Sequence, residues 1–494
     1  MTRIPASRLQ FRWRSALLLA LYGACGWCQS LVIQRVTVID ATGRRPAPDM
    51  TVVVDGDHIA AVSPWKKVHV PKDAVVVDGA GKFLIPGLWD MHAHGTADDA
   101  AAWTHLLFLA NGAVGVRDMF GPPDARAWRA TQVSSQDPSP AIYLGSPVVD
   151  GPNPYWPTSI VVNDEAQARE VVDQQQQRGA DFIKVYDKLS RSAYFAIAGE
   201  AKKRGIPFEG HVPESLTAME VSDAGQKSIE HLTRVALGCS KEQAAISAEL
   251  RRLEAVFLAP DATMSQKMES GKSMTALYLR IIETYDEATA QALFARFVRN
   301  GTWQCPTLTV LQAQSAEPLP ADDPRLQYLS KPLRTQWEIG YYKNFPPEAL
   351  AWTVKLKKAE FAESMKIVGL MYRAGVPILA GTDALNPQCF PGFGIHDELA
   401  LLVDAGLPPL AALQAATRNA AQFMGQLDRR GTIEAGKIAD LVLLDKDPLA
   451  DIHNTRAIQA VVLNGKLFPH PALEALLAKE QKLANREADG AAGR

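Results

Sequence analysis

Long apolar runs are missing from this chain. In 494 residues, none reaches the roughly 18 consecutive apolar positions of a membrane-spanning helix. An excess of positive charge is missing too. The 52 Lys and Arg stand against 54 Asp and Glu, a formal charge of −2, which leaves no basic footprint for nucleic acid. Cysteines are few. Of the five, Cys25 and Cys28 fall in an N-terminal segment that reads as removable. Cys239, Cys305 and Cys389 are too scattered for a disulfide framework; at most one bridge could form, and free buried thiols are the plainer reading. There is no internal repeat. What is present is ordinary: 47% apolar and 21% charged residues argue a globular protein, neither disordered nor fibrous. The length suits one large domain plus a smaller one.

The N-terminus differs from the rest. Arg3, Arg8, Arg12 and Arg14 precede Ala16-Leu-Leu-Leu-Ala-Leu-Tyr22 and then small residues, the order of a secretory signal. The apolar core is too brief for an anchor. Cleavage is expected near Ser30, with Cys28 and Ser30 as the small residues. A lipid-modified Cys25 fits less well, because Leu21 sits one place too far away. A periplasmic or secreted protein follows, with no stable membrane insertion once residues 1–30 are gone.

Residues 31–79 are rich in β-branched positions, and Asp55-Gly56-Asp57 is a hairpin turn. Residues 431–444 and 458–465 have the same character. The economical reading is a small β-sandwich built from both ends of the chain, residues 31–82 and 429–470. Between them, residues 83–428 alternate short apolar strands with helical patterns, as βαβ units do. Strands are expected at 83–88, 113–117, 141–144, 182–185, 207–210, 228–230, 303–310 and 377–380, the eight that a (β/α)8 barrel requires. Residues 241–300 read as inserted helices, with Ala290, Leu293, Phe294 and Phe297 at helical spacing. Residues 355–374 form an amphipathic helix, and 471–494 a helical, then disordered, tail.

The chemistry gathers around Leu84-Ile-Pro-Gly-Leu-Trp-Asp-Met-His-Ala-His94. Residues i and i+2 of a strand share a face, so His92 and His94 can reach one point together. Lys184 lies near the end of the fourth candidate strand. His211 follows the fifth, His231 the sixth and Asp383 the eighth. Functional groups of parallel barrels sit at these strand ends, and His nitrogen and carboxylate oxygen suit zinc and similar ions. A Lys flanked by Ile183 and Val185 is costly to bury charged, and burial favours its neutral amine; pairing with Asp181 or Asp187 is the alternative.

With these residues in this order, the sequence resembles the amidohydrolase superfamily, metal-dependent hydrolases on a (β/α)8 barrel. Within it the likeness is greatest to imidazolonepropionase-related and prolidase-like members. The resemblance covers nearly all of the chain after residue 30 and is loose over 241–347. It implies two divalent metal ions, zinc being expected, and a carbamate formed on Lys184. His92, His94 and Asp383 would hold one ion, His211 and His231 the other, with Lys184 between. The implied reaction is attack of a metal-bound hydroxide on an amide carbonyl, with Asp383 moving the proton to the leaving amine.

Tyr186 and His396 are candidate substrate contacts, each with a structural alternative. Glu214, in His211-Val-Pro-Glu214, matches the spacing of the deaminases of this superfamily, but also reads as a helix start. Arg117-Asp118 reads as a rim ion pair. The expected substrate is a small-molecule amide, a dipeptide or N-acyl amino acid. Cyclic amides, imidazolones or lactones are the alternative, and a non-catalytic scaffold the remote one. Association into a homo-oligomer stays open.

Overall fold

The computed structural model describes residues 30–68, 70–95, 100–133, 137–316, 319–339 and 345–490. Residues 1–29 of the segment read as a signal and the last four residues of the tail lie outside them. No helix among the described residues is long and apolar enough to cross a membrane.

The first five strands are β1 (Leu31–Val38), β2 (Ala47–Asp55), β3 (His58–Pro64), β4 (Val75–Asp78) and β5 (Phe83–Pro86). The last three are β15 (Leu441–Leu444), β16 (Ile458–Leu463) and β17 (Lys466–Pro469). Together they make one continuous hydrogen-bonded sheet, in the order β17-β16-β15-β5-β1-β2-β3, with β4 beside β1. The sheet curls, because Ile59 donates its N–H to Lys437 and Ala439 donates to Asp57. Alternation explains why the middle strands are apolar throughout. Leu84, Leu441, Leu443 and Val462 pack into the core of this sheet. Their neighbours Ile85, Val442, Leu444 and Val461 pack into the larger core beyond it. Each such side chain contributes about 1.5–3 kcal/mol by leaving water, so these strands fasten two cores together.

The middle of the chain supplies β6 (Leu88–Ala93), β7 (Ala113–Asp118), β8 (Ala141–Leu144), β9 (Val149–Asp150), β10 (Ile160–Val161), β11 (Ile183–Val185), β12 (Phe208–Gly210), β13 (Ser228–Glu230) and β14 (Trp303–Cys305). Parallel pairing joins β6 to β7 and β7 to β8, and then β11, β12, β13 and β14 in succession. A parallel bridge between Gly145 and Phe182 connects β8 to the start of β11. The segment 378–384 bridges to β14 through Gln304 and Ile378, and to β6 through Ala93 and Ala384. Helices alternate with these strands. Three of them, Gln243–Leu258, Met264–Glu283 and Glu287–Asn300, fill the inserted stretch.

Three of the expected strands differ. Residues 83–88 are not one strand: β5 belongs to the terminal sheet, paired with β15. The parallel strand begins after Pro86-Gly87, and Gly87 is needed because a Cβ there would lie 2.4 Å from Val114. Consequently His92 lies inside β6 rather than beyond it. The seventh strand stops at Cys305. Thr307 takes a left-handed φ of +48° and starts the helix Leu308–Ser315. At 377–380 only Ile378 is bridged, since the chain soon turns at Asp383, whose φ is +60°.

Candidate metal centre

Six sequence-selected side chains lie on the strands or at their C-terminal ends, on the same side of the parallel array. His92 and His94 come from β6 and the residue after it, and Asp383 from the segment beside it. His94 Nε2 lies 2.8 Å and His92 Nε2 3.3 Å from Asp383 Oδ1. Ligand atoms of these three all lie within 4.8 Å of one another. His231 brings its ring within 4.4 Å of that of His92 and 4.9 Å of that of His211. Its Nδ1 is 3.8 Å from Asp383 Oδ2. Lys184 is buried on β11, and its ammonium has neither a hydrogen bond nor an ion pair among the described residues. The two carboxylates that could pair with it are taken: Asp181 by Arg129 at 2.6 Å and Asp187 by His211 at 3.0 Å.

The backbone is held in uncommon conformations at this cluster. His231, Thr307 and Asp383 have φ of +55°, +48° and +60°, each costing about 1–3 kcal/mol for a non-glycine residue. Fixed contacts hold them there. The Asp383 N–H donates to the His92 carbonyl at 2.7 Å. Asp90, buried beneath, accepts from the Thr382 N–H at 3.0 Å and the Thr382 hydroxyl at 2.6 Å. Burial raises the Asp90 carboxyl pKa to about 7. At Gly381 a Cβ would meet His92 N at 2.7 Å and Cys305 Sγ at 2.6 Å, so only glycine lets the segment close on β6.

Electrostatics favour metal-ready protonation states. Burial pushes His92 well below the ordinary imidazole pKa, and nearby His231 and Lys184 push it further. His231 falls to about 3 for the same leading reason. Burial lowers Lys184 to about 8. Burial would raise Asp383, but His231, His94 and Lys184 outweigh it and hold the carboxyl well below its usual range. His92 Nε2, His94 Nδ1 and His211 Nε2 are buried with no hydrogen-bond partner. Buried nitrogens are normally satisfied; His92 Nε2, 3.3 Å from Asp383 Oδ1, and His211 Nε2 keep lone pairs that a cation would complete.

The other ring nitrogens are oriented. His211 Nδ1 meets Asp187, and His231 Nδ1 meets Thr307 Oγ1 at 2.7 Å. His92 Nδ1 meets Glu230 Oε2 at 2.7 Å. Thr307→Val keeps the shape but removes the hydroxyl. It is expected to weaken metal affinity about 10–100-fold with little loss of fold stability, as a metal titration would show.

Sequence reasoning missed what lies behind His92. Arg117 was expected in a rim pair with Asp118. It is instead wholly buried, bonded to Glu209 at 2.8 Å, Glu230 at 2.7 Å and Ser228 at 2.9 Å. Adjacent strand residues face opposite ways, so 117 and 118 could not have faced each other; that signal was present. His92, Glu230 and Cys305 also group closely, but Arg117 already neutralises Glu230.

Tyr186 joins the cluster, its ring 4.0 Å from that of His211. His396 does not. Its ring nitrogens go to Thr455 Oγ1 at 3.0 Å and the Asn111 carbonyl at 3.1 Å, and it is buried between its helix and the turn at Thr455. Glu214 is not at a helix start, because the helix Ala218–Asp223 is capped by Thr217 and Glu220. It lies in the preceding turn, 2.7 Å from Lys188.

The Amidohydrolase family profile matches residues 361–468, which include Asp383 and β15. The imidazolonepropionase of Aromatoleum aromaticum is 41% identical over 83 residues, 16% of this chain and 19% of that one. The chain thus matches about a fifth of that relative's length. A solved bottromycin amidohydrolase superposes with a TM-score of 0.67 at 24% identity, over 92% of this chain and 90% of its own. A solved Xaa-Pro dipeptidase with bound methionine gives 0.62 at 18%, over 89% and 100%. Together these likenesses support the amidohydrolase superfamily. The solved structures share its fold, so β6 to β14 and the segment after them make the TIM-barrel type of α/β architecture. Divalent metals are general in the superfamily, and the unpartnered nitrogens and the Asp383 carboxylate are a donor set that fits them.

Proposed function

We propose that residues 88–428 form a metal-dependent (β/α)8 hydrolase that cleaves a small-molecule amide, a dipeptide or N-acyl amino acid. The sheet of β1 to β5 and β15 to β17 supports it. The observation that carries this reading is the convergence of His92, His94, His211, His231 and Asp383 with three buried nitrogens unpartnered. The prolidase-type and amidohydrolase likenesses agree with it.

His92, His94 and Asp383 would hold one divalent ion and His211 and His231 a second, zinc being expected, with Lys184 between. Such ions polarise a carbonyl and make water acidic at neutral pH. The low pKa values of His92 and His231 leave their lone pairs free. The depressed Lys184 amine would attack carbon dioxide and lose a proton, and the carbamate so formed would offer a carboxylate to the ions. Asp383 stays ionised; it takes a proton from the attacking water and passes it to the leaving nitrogen. Tyr186 flanks His211 and would touch substrate.

Two measurements test this. Zinc-loaded protein should hydrolyse members of a panel of dipeptides and N-acetyl amino acids. If only lactones or imidazolones in the panel turn over, the ring-opening alternative replaces the amide reading; the imidazolonepropionase likeness makes it the second choice. Glu214 as a deaminase proton carrier has less support, because Lys188 holds it. Lys184→Ala should lose most activity and regain part of it with formate, acetate or propionate. Wild-type activity with two bound metals in that variant would remove Lys184 from the bridge.

A further inference from the structure

Glu398 is fully buried on the helix Phe393–Asp404. One of its oxygens accepts from the Leu308 N–H at 3.1 Å. The other accepts from the Thr309 N–H and the Thr309 hydroxyl, each at 2.8 Å. These two N–H groups open the helix Leu308–Ser315, and the first N–H groups of any helix need an acceptor from outside it. A threonine just before a helix usually supplies one from its own side chain. Thr307 stands at that position and makes no such bond. Its hydroxyl donates to the Pro306 carbonyl at 2.8 Å, and its oxygen faces His231 Nδ1 at 2.7 Å.

With its proton spent on Pro306, the Thr307 hydroxyl accepts the Nδ1–H of His231. That bond fixes the imidazole tautomer and leaves the Nε2 lone pair for a cation. A remote glutamate thus does the capping, and the threonine is released to orient a histidine. The three donors also explain why the acceptor is a carboxylate. An amide has one acceptor oxygen and would turn its NH2 on a donor. The residues beside Glu398 tie its helix down elsewhere: His396 to Thr455 and Asn111, and Asp397 to Arg456 and, at 3.3 Å, to Arg325. Glu398 is therefore presented from a fixed support.

We propose that Glu398 is a positioning residue of the metal centre: by capping the helix Leu308–Ser315 it frees the Thr307 hydroxyl to orient His231. This rests on the metal-dependent reading and is tested by zinc retention rather than by turnover. Zinc-loaded wild type, Glu398→Gln, Thr307→Val and the double variant would be challenged with rising chelator concentrations. Metal analysis reports the zinc retained, and circular dichroism checks that each variant is folded. Glu398→Gln should weaken one of the two zinc positions about 10–100-fold and spare the other. Thr307→Val should weaken the same position. The double variant should be no worse than the worse single one, because both act through one bond. Unchanged retention in Glu398→Gln, equal loss from both positions, or losses that multiply in the double variant overturn the proposal. Should Glu398→Gln not fold, Thr309→Val is measured in its place. It removes one donor, spares the carboxylate and should loosen the same zinc severalfold; unchanged retention there overturns the proposal. Wild type that retains no zinc overturns the metal reading and the proposal together. Wild type and variants that follow the expected pattern, with no amide cleaved, overturn the hydrolase reading alone.

Discussion

Asp383→Asn is expected to lower kcat and kcat/KM together, by about a hundred- to ten-thousand-fold, while most of the bound metal stays. The reason is local. The asparagine oxygen still faces His92 and His94, where Asp383 Oδ1 now lies 3.3 and 2.8 Å from their Nε2 atoms. An amide cannot accept the proton that the carboxylate would carry. Removing a group that acts only in the transition state lowers both constants alike. His231→Ala makes the contrast. It removes a ring 4.4 Å from His92 and 4.9 Å from His211, so occupancy of one metal position should fall, with some activity regained at high zinc. Metal titrations of both variants, read by activity and by metal analysis, separate the roles. If Asp383→Asn regains full turnover on adding zinc, Asp383 is only a ligand and the proton travels elsewhere.

Arg117→Met should cost about 3–5 kcal/mol of stability, because it strands the buried Glu230 carboxylate and leaves Glu209 only Lys227 at 3.8 Å. Glu209 and Glu230 each lie within 2.8 Å of the guanidinium, and all three are fully buried. Burial already pushes the Glu209 carboxyl up despite Arg117. The damage should reach the site, since Glu230 orients His92 through its Nδ1. Adding Glu209→Gln and Glu230→Gln to Arg117→Met should restore much of the stability, as neutral groups need no counter-ion. Metal affinity should stay weak, because an amide holds the imidazole less firmly than a carboxylate. Urea denaturation and metal titration report the two effects. A single variant as stable as wild type would mean that the carboxylates take up protons at little cost.

Much of the architecture was legible. Strand–helix alternation and β-rich ends mark a parallel α/β array and a small sandwich from both termini; the array is found, and the terminal strands form one continuous sheet. His92, His94, His211, His231, Lys184 and Asp383 could be picked out because strand ends in such arrays converge on one rim. What stayed hidden depends on tertiary placement. Phe83–Pro86 and Leu88–Ala93 read as one apolar run, and only Pro86-Gly87 hints that they serve different sheets. Thr307 looks like a strand residue until its left-handed backbone is seen. Glu398, which accepts from the Leu308 N–H at 3.1 Å and the Thr309 N–H at 2.8 Å, comes from a helix far along the chain, and no local pattern announces it. His396 has the composition of a site residue, but Thr455 and Asn111 claim it.

The pairing of β5 with β15 sets a timetable for synthesis. Ile85 faces Val442 across the sheet, yet the ribosome makes the second strand long after the first. At about 5–20 residues per second the interval is roughly 20–70 s. During it β5 has β1 on one side and an open edge on the other. That edge is apolar on both faces, the kind that pairs with strands of other chains. The residues directly after it carry His92 and His94. The strand that carries these two histidines therefore follows a half-paired neighbour until β15 has emerged, and a newborn copy needs shelter at this edge for that interval.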